Sequence, residues 1–497
     1  MKMPTNFKRF ILFHKFNHWC IYLKILSIIT FTFQLNAQHI NGDSAEFQEA
    51  IKLLSNYIQI NSETGNENQA ALFFADRCNA SGLHVKYLNN APGSCNFIAS
   101  IYPLSDGKPN IVFFNHIDVV GPGNETDWKY PPYSGKIIDN KVWGRGALDN
   151  KGLAVIQLYS VLNAYKKSLH TVLPYNVSVL CVSGEESGGE HGSARVASEF
   201  IREINPAVML GEGGSGYSDL SFIPEGKTLF GISIAEKGVL KLKLSTEVES
   251  NGHSSIVGGD YANKRLINAL YNILNWEQKI DLTKEVRLMF KSIGEVVGGT
   301  KGFALKNIHC AAIKPALKRT LKRNPELEGM FKNTLAITSI GHLSGDRNVI
   351  SQKAEALVDC RLLPGVTQDK FLTDLKSVIN DHSIKVEIMN KYQERYTSPP
   401  DFYFEQLSIA IKHIFKNTEV VPMLFPAYND NAHFRKYGCP TFGINPMIVS
   451  KKQLGAIHNI DEFIDFEDIV HGISIFTQFI EQVVNIHIDI RTKLGHQ

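Results

Sequence analysis

A chain of 497 residues exceeds what one hydrophobic core usually serves, so at least two domains are expected. Hydrophobic residues make up 43% and charged residues 20%, the ordinary balance of a soluble globular protein. The formal net charge of +3 is small for this length and argues against a nucleic-acid partner.

In chain order, Lys2, Lys8, Arg9, Lys15 and Lys24 precede an uncharged apolar run, Ile25 to Phe33, and then Leu35-Asn36-Ala37-Gln38. A basic head, a short apolar stretch and a small residue at the cut describe a secretory signal peptide over residues 1–37. The run is too short to span a bilayer comfortably and no other stretch reads as a span, so an exported protein, periplasmic or secreted, is expected. Left uncut, the segment would be a membrane anchor. Cys20 falls inside it; Cys78, Cys95, Cys181, Cys310, Cys360 and Cys439 follow at irregular spacing, unlike a metal-binding pattern. Cys181 and Cys360 lie in apolar, strand-like runs and are expected as buried thiols, and no disulfide is predicted.

Next, Phe47, Ile51, Leu54 and Ile58 share one helical face, and a second helical stretch runs from Glu67 to Ala80. Short apolar runs then alternate with helical patterns: strands at 97–103 and 110–116, a helix at 152–167, and strands at 176–184 and 206–214. Such alternation predicts an α/β layer architecture with a mainly parallel sheet. The character changes near residue 228, where two strands flank a Lys237-Gly238 turn. A helix (Ala262 to Trp276), strands near 348–363, a helix (Gln368 to Asn380) and a strand at 384–390 complete a βαββαβ, ferredoxin-like block. A helical insertion over 282–333 interrupts it, and Lys314, Lys318, Arg319, Lys322 and Arg323 there read as a solvated basic face. The α/β pattern resumes with a helix (Phe404 to Lys416), two strands and a final helix from Asp465. The expected organisation is one α/β domain over 45–232 and 393–492, with an α+β domain over 233–392 inserted into it.

Strand ends carry the chemistry. In "FFNHIDVVG", His116 and Asp118 are two apart and point to the same side of an extended strand. A metal-bound His usually gives its other ring N–H to an oxygen acceptor, although a structural histidine is the commoner fate of a lone HxD. In "VWGRGALDNKGL", Asp149 follows a Gly-flanked turn and precedes a helix; it is either a helix cap or a carboxylate in a loop that can approach a cation. In "LCVSGEESGGEHG", Glu185 and Glu186 follow a predicted central strand, where open α/β sheets place their sites. A fourth strand, "AVMLGEGG", ends in Glu212 among glycines; without a following Lys-Ser/Thr it is a weak phosphate loop. His, Asp, Glu and Glu form a nitrogen and oxygen donor set that suits zinc, with manganese or cobalt as alternatives.

Together, "HIDVV", "WGRGALDNKG", "GEESGG", "GHSS" and "NVIS…DCRLLPG" resemble the zinc peptidases related to aminoacylase and glutamate carboxypeptidase. The insertion and the terminal "GAIHNIDE" resemble the branch of carboxypeptidase S and secreted N-acyl-amino-acid hydrolases. The resemblance implies a catalytic domain holding two zinc ions per subunit and an inserted lid domain, through which a homodimer would form. By position it implies that His116 and Glu212 hold one metal, Glu186 and His458 the other, and that Asp149 bridges both. Asp118 would orient His116 and Glu185 would be the general base. The peptide after the bridging Asp is often cis in this family. Relatives often carry Asp-Glu-Gly where this chain has Gly211-Glu212-Gly213, so only Glu212 can supply that ligand. His433 competes with His458 for the last position, and His458 matches it better.

From the inserted domain, His253 would contact the scissile carbonyl, with Asn348 and Arg361 binding substrate. A guanidinium can take a free carboxylate in two parallel hydrogen bonds, and the bland alternative for Arg361 is a surface salt bridge. The implied reaction is hydrolysis of an amide bond next to a free carboxylate, by an exported carboxypeptidase or dipeptidase. An N-acyl-amino-acid amidohydrolase, with an acyl pocket lined by the apolar insertion, is the alternative. A non-catalytic binding protein on the same fold is the third reading.

Overall fold

A computed structural model describes residues 44–494, apart from 92–93, 219, 221–222, 250–252, 256–258, 324, 342–348, 391 and 393. The expected signal peptide, with Cys20, and the substrate position Asn348 lie outside the described residues.

Ser44 accepts a hydrogen bond from the Phe47 N–H and caps α1 (Ala45–Ile58), whose Phe47, Ile51, Leu54 and Ile58 are buried at the expected helical spacing. α2 (Asn68–Ala80), β1 (His84–Ala91), β2 (Ser94–Ser100) and β3 (Asn110–His116) follow. β4 (Lys136–Ile138) and β5 (Lys141–Trp143) form a small hairpin. Then come α3 (Lys151–Ser168), β6 (Asn176–Val182), α4 (Ser193–Ile204), β7 (Pro206–Tyr217) and β8 (Thr228–Glu236). Every residue of β3 and β6 is buried. Both faces are covered: Ile111, Phe113 and Val177 pack with the α3 side, Val112, Phe114 and Leu180 with Val196 and Ala197 of α4.

The middle of the chain builds a second sheet from β9 (Gly238–Glu247), β10 (Thr334–Gly341), β11 (Lys353–Leu362) and β12 (Lys385–Ile388), in the order β10-β11-β9-β12 with all pairs antiparallel. α5 (Ala262–Leu274) packs on it; between α5 and β10 come α6 (Lys284–Val297), α7 (Gly299–Lys306), α8 (Lys314–Lys322) and α9 (Pro325–Gly329). α10 (Gln368–Ile379) joins α5 over Leu240, Leu242, Leu244, Ala356 and Val358. This is the ferredoxin-like block. The chain then returns through α11 (Phe402–Ile414), β13 (Thr418–Phe425), α12 (Asn431–Arg435), β14 (Thr441–Ile448), α13 (Lys451–Ala456), β15 (Phe463–Asp465) and α14 (Phe466–Leu494). The large sheet has the order β1-β2-β6-β3-β7-β14-β8-β13, with β6, β3, β7 and β14 parallel and β1–β2–β6 antiparallel at one edge. The α/β class with a separate antiparallel sheet is therefore as expected.

Four details differ from expectation. First, β7 does not stop among its glycines but runs on to Tyr217, because Gly213 and Gly214 let neighbouring backbones close in: a Cβ at Gly214 would stand 2.0 Å from the Gly231 carbonyl. Second, the passage between sheets falls at Lys237, after β8 has completed its pairing in the large sheet. The buried Lys237 ammonium donates to the carbonyls of Gly329 and Lys332, both at 2.8 Å, and burial and Arg361 pull its pKa down to about 8. Third, most of the apolar side chains of the insertion are packed into a core rather than standing open. Val286, Met289, Phe290, Ile293, Leu317 and Leu321 are packed with Leu229, Val421, Met423 and Leu424 into a core on β8 and β13. Fourth, the stretch Phe466–Ile488 of α14 is long and apolar enough to cross a membrane by length and composition, but 50% of its apolar window is buried, packed against α3 and α11. Cys78, Cys181, Cys360 and Cys439 are buried free thiols, and Cys95 is also buried.

Candidate active site

The C-terminal ends of β3 and β6, the loop before α3 and the loop after α13 converge with the middle of β7. His116 is the last residue of β3. Its Nδ1 lies 2.9 Å from the Asp118 carbonyl oxygen and 3.5 Å from Asp118 Oδ1, which leaves Nε2 to face the site. Asp118 is fully buried: its carboxylate accepts from the N–H groups of Glu185 and Glu186, each at 3.1 Å, and from the Thr64 hydroxyl at 3.0 Å. It fixes the loop that carries the glutamate pair as well as the imidazole.

That loop turns tightly after β6. Gly184, Gly188 and Gly189 all have positive φ, which a side chain disfavours, and Glu185 is buried between them. Asp149 faces two histidines at once. Its Oδ1 is 3.0 Å from His116 Nε2 and its Oδ2 is 3.2 Å from His458 Nε2. His458 Nε2 also lies 3.2 Å from Glu186 Oε1. Glu212 Oε2 is 3.5 Å from His116 Nε2 and accepts from the Asn150 amide at 2.6 Å. The Asp149–Asn150 peptide is cis, as the resemblance implies, and Asn150, not Asp149, occupies the N-cap position of α3.

The charges fit a cation centre. His116, Glu185 and Glu212 can converge on one ion, and so can His116, Asp149 and Glu186, with the ligand atoms of each trio within 4.8 Å of one another. Burial and then the charge on Glu212 push the Glu185 carboxyl well up. Burial also raises Glu186, against the pull of His458. Hydrogen bonds to Asp149 and Glu186 lift His458 to about 10. Burial opposes a charge on His116, but Glu212, Asp118 and Asp149 outweigh it and raise the ring well above its usual range. Buried and partly buried carboxylates crowded around two imidazoles form a nitrogen and oxygen donor set of the kind zinc takes, and a dication relieves their mutual repulsion.

Three further candidate positions have contacts of their own. His433 is buried, with Nε2 2.8 Å from the Tyr428 hydroxyl, and burial pulls its ring down to about 3. Arg361, on β11, donates to Asp359 at 2.7 and 3.3 Å. His253 Nδ1 lies 2.7 Å from the Ser255 hydroxyl. The sequence reading missed Glu462 and Asp430. Glu462 stood in the quoted "GAIHNIDE" and is fully buried. Asp430 stood beside the competing His433; it is buried, which pushes its carboxyl up to about 7, and its charge bears on Glu185.

Comparison with known proteins gives the family. The family model "Peptidase family M20/M25/M40" matches residues 112–482. The "Probable carboxypeptidase S-like 2" of Dictyostelium discoideum is 28% identical over 384 residues, which is 76% of this chain and 72% of that protein. The mouse "N-fatty-acyl-amino acid synthase/hydrolase PM20D1" is 26% identical over 407 residues, 77% of this chain and 76% of that protein. Among solved structures, the M20 family metallo-carboxypeptidase Sso-CP2 of Sulfolobus solfataricus superposes with a TM-score of 0.65 at 17% identity, covering 88% of this chain and 98% of the other. The chain belongs to peptidase family M20/M25/M40, a family of metallopeptidases.

Proposed function

We propose that this metallopeptidase is a di-zinc carboxypeptidase or dipeptidase that cleaves an amide bond next to a free carboxylate. The observation that carries the reading is Asp149, whose two oxygens face His116 and His458 separately. In this reading His116, Glu212 and Asp149 hold one ion and Asp149, Glu186 and His458 the other. When bound, the two dications supply a water of lowered pKa and polarise the amide carbonyl. Glu185, buried against Glu212 and not paired with His458, takes the proton of the attacking water and delivers it to the leaving amine. Asp118 orients His116 through its carbonyl and carboxylate. His253 stabilises the oxyanion, Arg361 turns from Asp359 to the substrate carboxylate, and Asn348 adds a polar contact.

An N-acyl-amino-acid amidohydrolase is the second reading, favoured by the likeness to the mouse enzyme. The packed core of the insertion speaks against an acyl pocket there. We also read the two large-sheet segments, with the first boundary moved from 232 to Lys237, as the catalytic domain and the segment between them, to 392, as the lid. Exposed Ile267, Tyr271 and Leu274 on α5 support a homodimer through that lid. Export with a cut near Ala37 completes the reading. The test is metal analysis of the purified protein together with a chelator-sensitive assay on a C-terminal-carboxylate dipeptide and a long-chain N-acyl amino acid. Two zinc ions per chain and faster dipeptide cleavage are expected. Faster cleavage of the acyl substrate favours the second reading, and two bound ions with neither activity favour a binding protein.

A further inference from the structure

The side chain of Glu462 is fully buried and is fully used by one loop. Its Oε1 accepts from the backbone N–H groups of Leu148 at 2.8 Å and Asp149 at 2.9 Å. Its Oε2 accepts from the N–H of Gly146 at 3.0 Å and from Arg145 Nη1 at 2.8 Å. Arg145 is itself buried, stacked on Trp128 with its guanidinium carbon 5.1 Å from the ring centre. The backbone of Glu462 holds the same loop, since its carbonyl accepts from the Gly144 N–H at 2.9 Å, and β15 directly after it pairs with β5.

A second observation bears on what this is for. His458 and Asp461 both have positive φ, 57° and 59°, the left-handed region that non-glycine residues enter at a cost. Such backbones persist where their surroundings over-determine them. Asp461 is tied down by the Lys129 N–H at 2.6 Å, and Glu462 by five hydrogen bonds to the loop of Asp149. The loop that presents His458 is thereby fastened to the loop that presents Asp149.

We propose that Glu462 is a positioning residue that locks the Asp149 loop and the His458 loop into one rigid half of the metal centre, fixing the separation of two ligands before any ion arrives. The inference rests on the reading of Asp149 and His458 as ligands. Outer groups of this kind typically carry about 10–100-fold of metal affinity.

Glu462→Gln keeps the size of the side chain but points an amide donor at Gly146 N–H and Arg145. Glu462→Asp keeps the charge but is one methylene too short to reach all four donors. In metal-free protein, the amides of Gly146, Leu148 and Asp149 should be protected from hydrogen exchange in the wild type and lose protection in both variants. Titration with Zn²⁺ against a competing chelator should show about 10–100-fold weaker binding in the variants, with the stoichiometry unchanged. The visible spectrum of the Co²⁺-loaded variants should differ from that of the wild type. Wild-type Zn²⁺ affinity in variants that only melt earlier would overturn the proposal. If neither variant folds, exchange in the wild type decides: rapid exchange at Leu148 and Asp149 sinks the clamp. A wild-type chain that binds no zinc, with those amides protected, sinks the ligand reading instead.

Discussion

His458 Nε2 stands 3.2 Å from Asp149 Oδ2, although the two residues belong to opposite ends of the chain and to loops that meet only through the fold. The two groups form an ion pair, and hydrogen bonds to Asp149 and Glu186 hold the ring up at about 10. A raised histidine pKa stabilises the fold fully below the unfolded value, about 6.5, and that contribution is lost as pH rises through the folded value. A metal needs the neutral ring, so loading must displace this proton. Zinc affinity should therefore climb with pH up to about 10, and calorimetry in buffers of different ionisation enthalpy should show proton release. His458→Asn should weaken binding and lower that slope, leaving the part due to His116. A slope equal to that of the wild type would remove His458 from the site.

The neighbouring glutamates should separate by what each one loses. Glu186 touches His458, whereas Glu185 is buried against the charges of Glu212 and Asp430. Glu185→Gln should retain both zinc ions and lose about 10²–10⁴-fold in kcat, the usual scale for a general base. Glu186→Ala should bind less metal. Equal metal loss in both variants, measured by elemental analysis, would cancel the division of roles. The trio of His116, Glu185 and Glu212 makes this a real contest, because Glu185 also lies at ligand distance.

Asp118 gives a stability prediction. Its carboxylate is fully buried and serves two backbone N–H groups and the Thr64 hydroxyl. Each buried donor left unpaired costs about 1–3 kcal/mol, so Asp118→Ala should lower the free energy of unfolding by several kcal/mol in urea melts. Asp118→Asn, which keeps one acceptor oxygen, should cost less. Burial raises this carboxyl, but His116 and its other partners more than compensate and hold it below the usual range. Its contribution is thus present above about pH 4 and lost as pH falls through the folded value. A wild-type melting curve for Asp118→Ala would show that these bonds add nothing.

The buried parallel strands, most of the ferredoxin-like block and the residues His116, Asp149, Glu185 and Glu186 were legible because each sits at the end of an apolar run or among glycines that punctuate it, whereas β1, β4, β5, β10 and β15 were not read as strands. Glu462 was not legible, since its role consists of bonds to backbone N–H groups of a remote loop, and backbone donors leave no mark on a sequence. Asp430 was hidden beside His433, the better ligand type, which the fold buries against Tyr428. The extent of β7 was misread because glycines that usually end a strand here admit close neighbours. The closed core of the insertion depended on its partners across β8 and β13, which periodicity alone does not name.

Arg361 offers the sharpest test of substrate class. Its guanidinium is one-third exposed and already engaged by Asp359, so binding a substrate carboxylate requires exchanging one carboxylate for another. An ion pair whose arginine is that exposed is weak, about 0–1 kcal/mol, and the exchange is therefore feasible. Arg361→Ala should raise KM for a free-carboxylate dipeptide by tenfold or more, about 1.4 kcal/mol, with a smaller change in kcat. Arg361→Lys should recover little, because an ammonium cannot form the paired contact. The same dipeptide with its carboxyl amidated should be a poor substrate for the wild type and should be hydrolysed about equally by both proteins. If Arg361→Ala affects acid and amide alike, the guanidinium braces β11 and the carboxylate must be read by another residue.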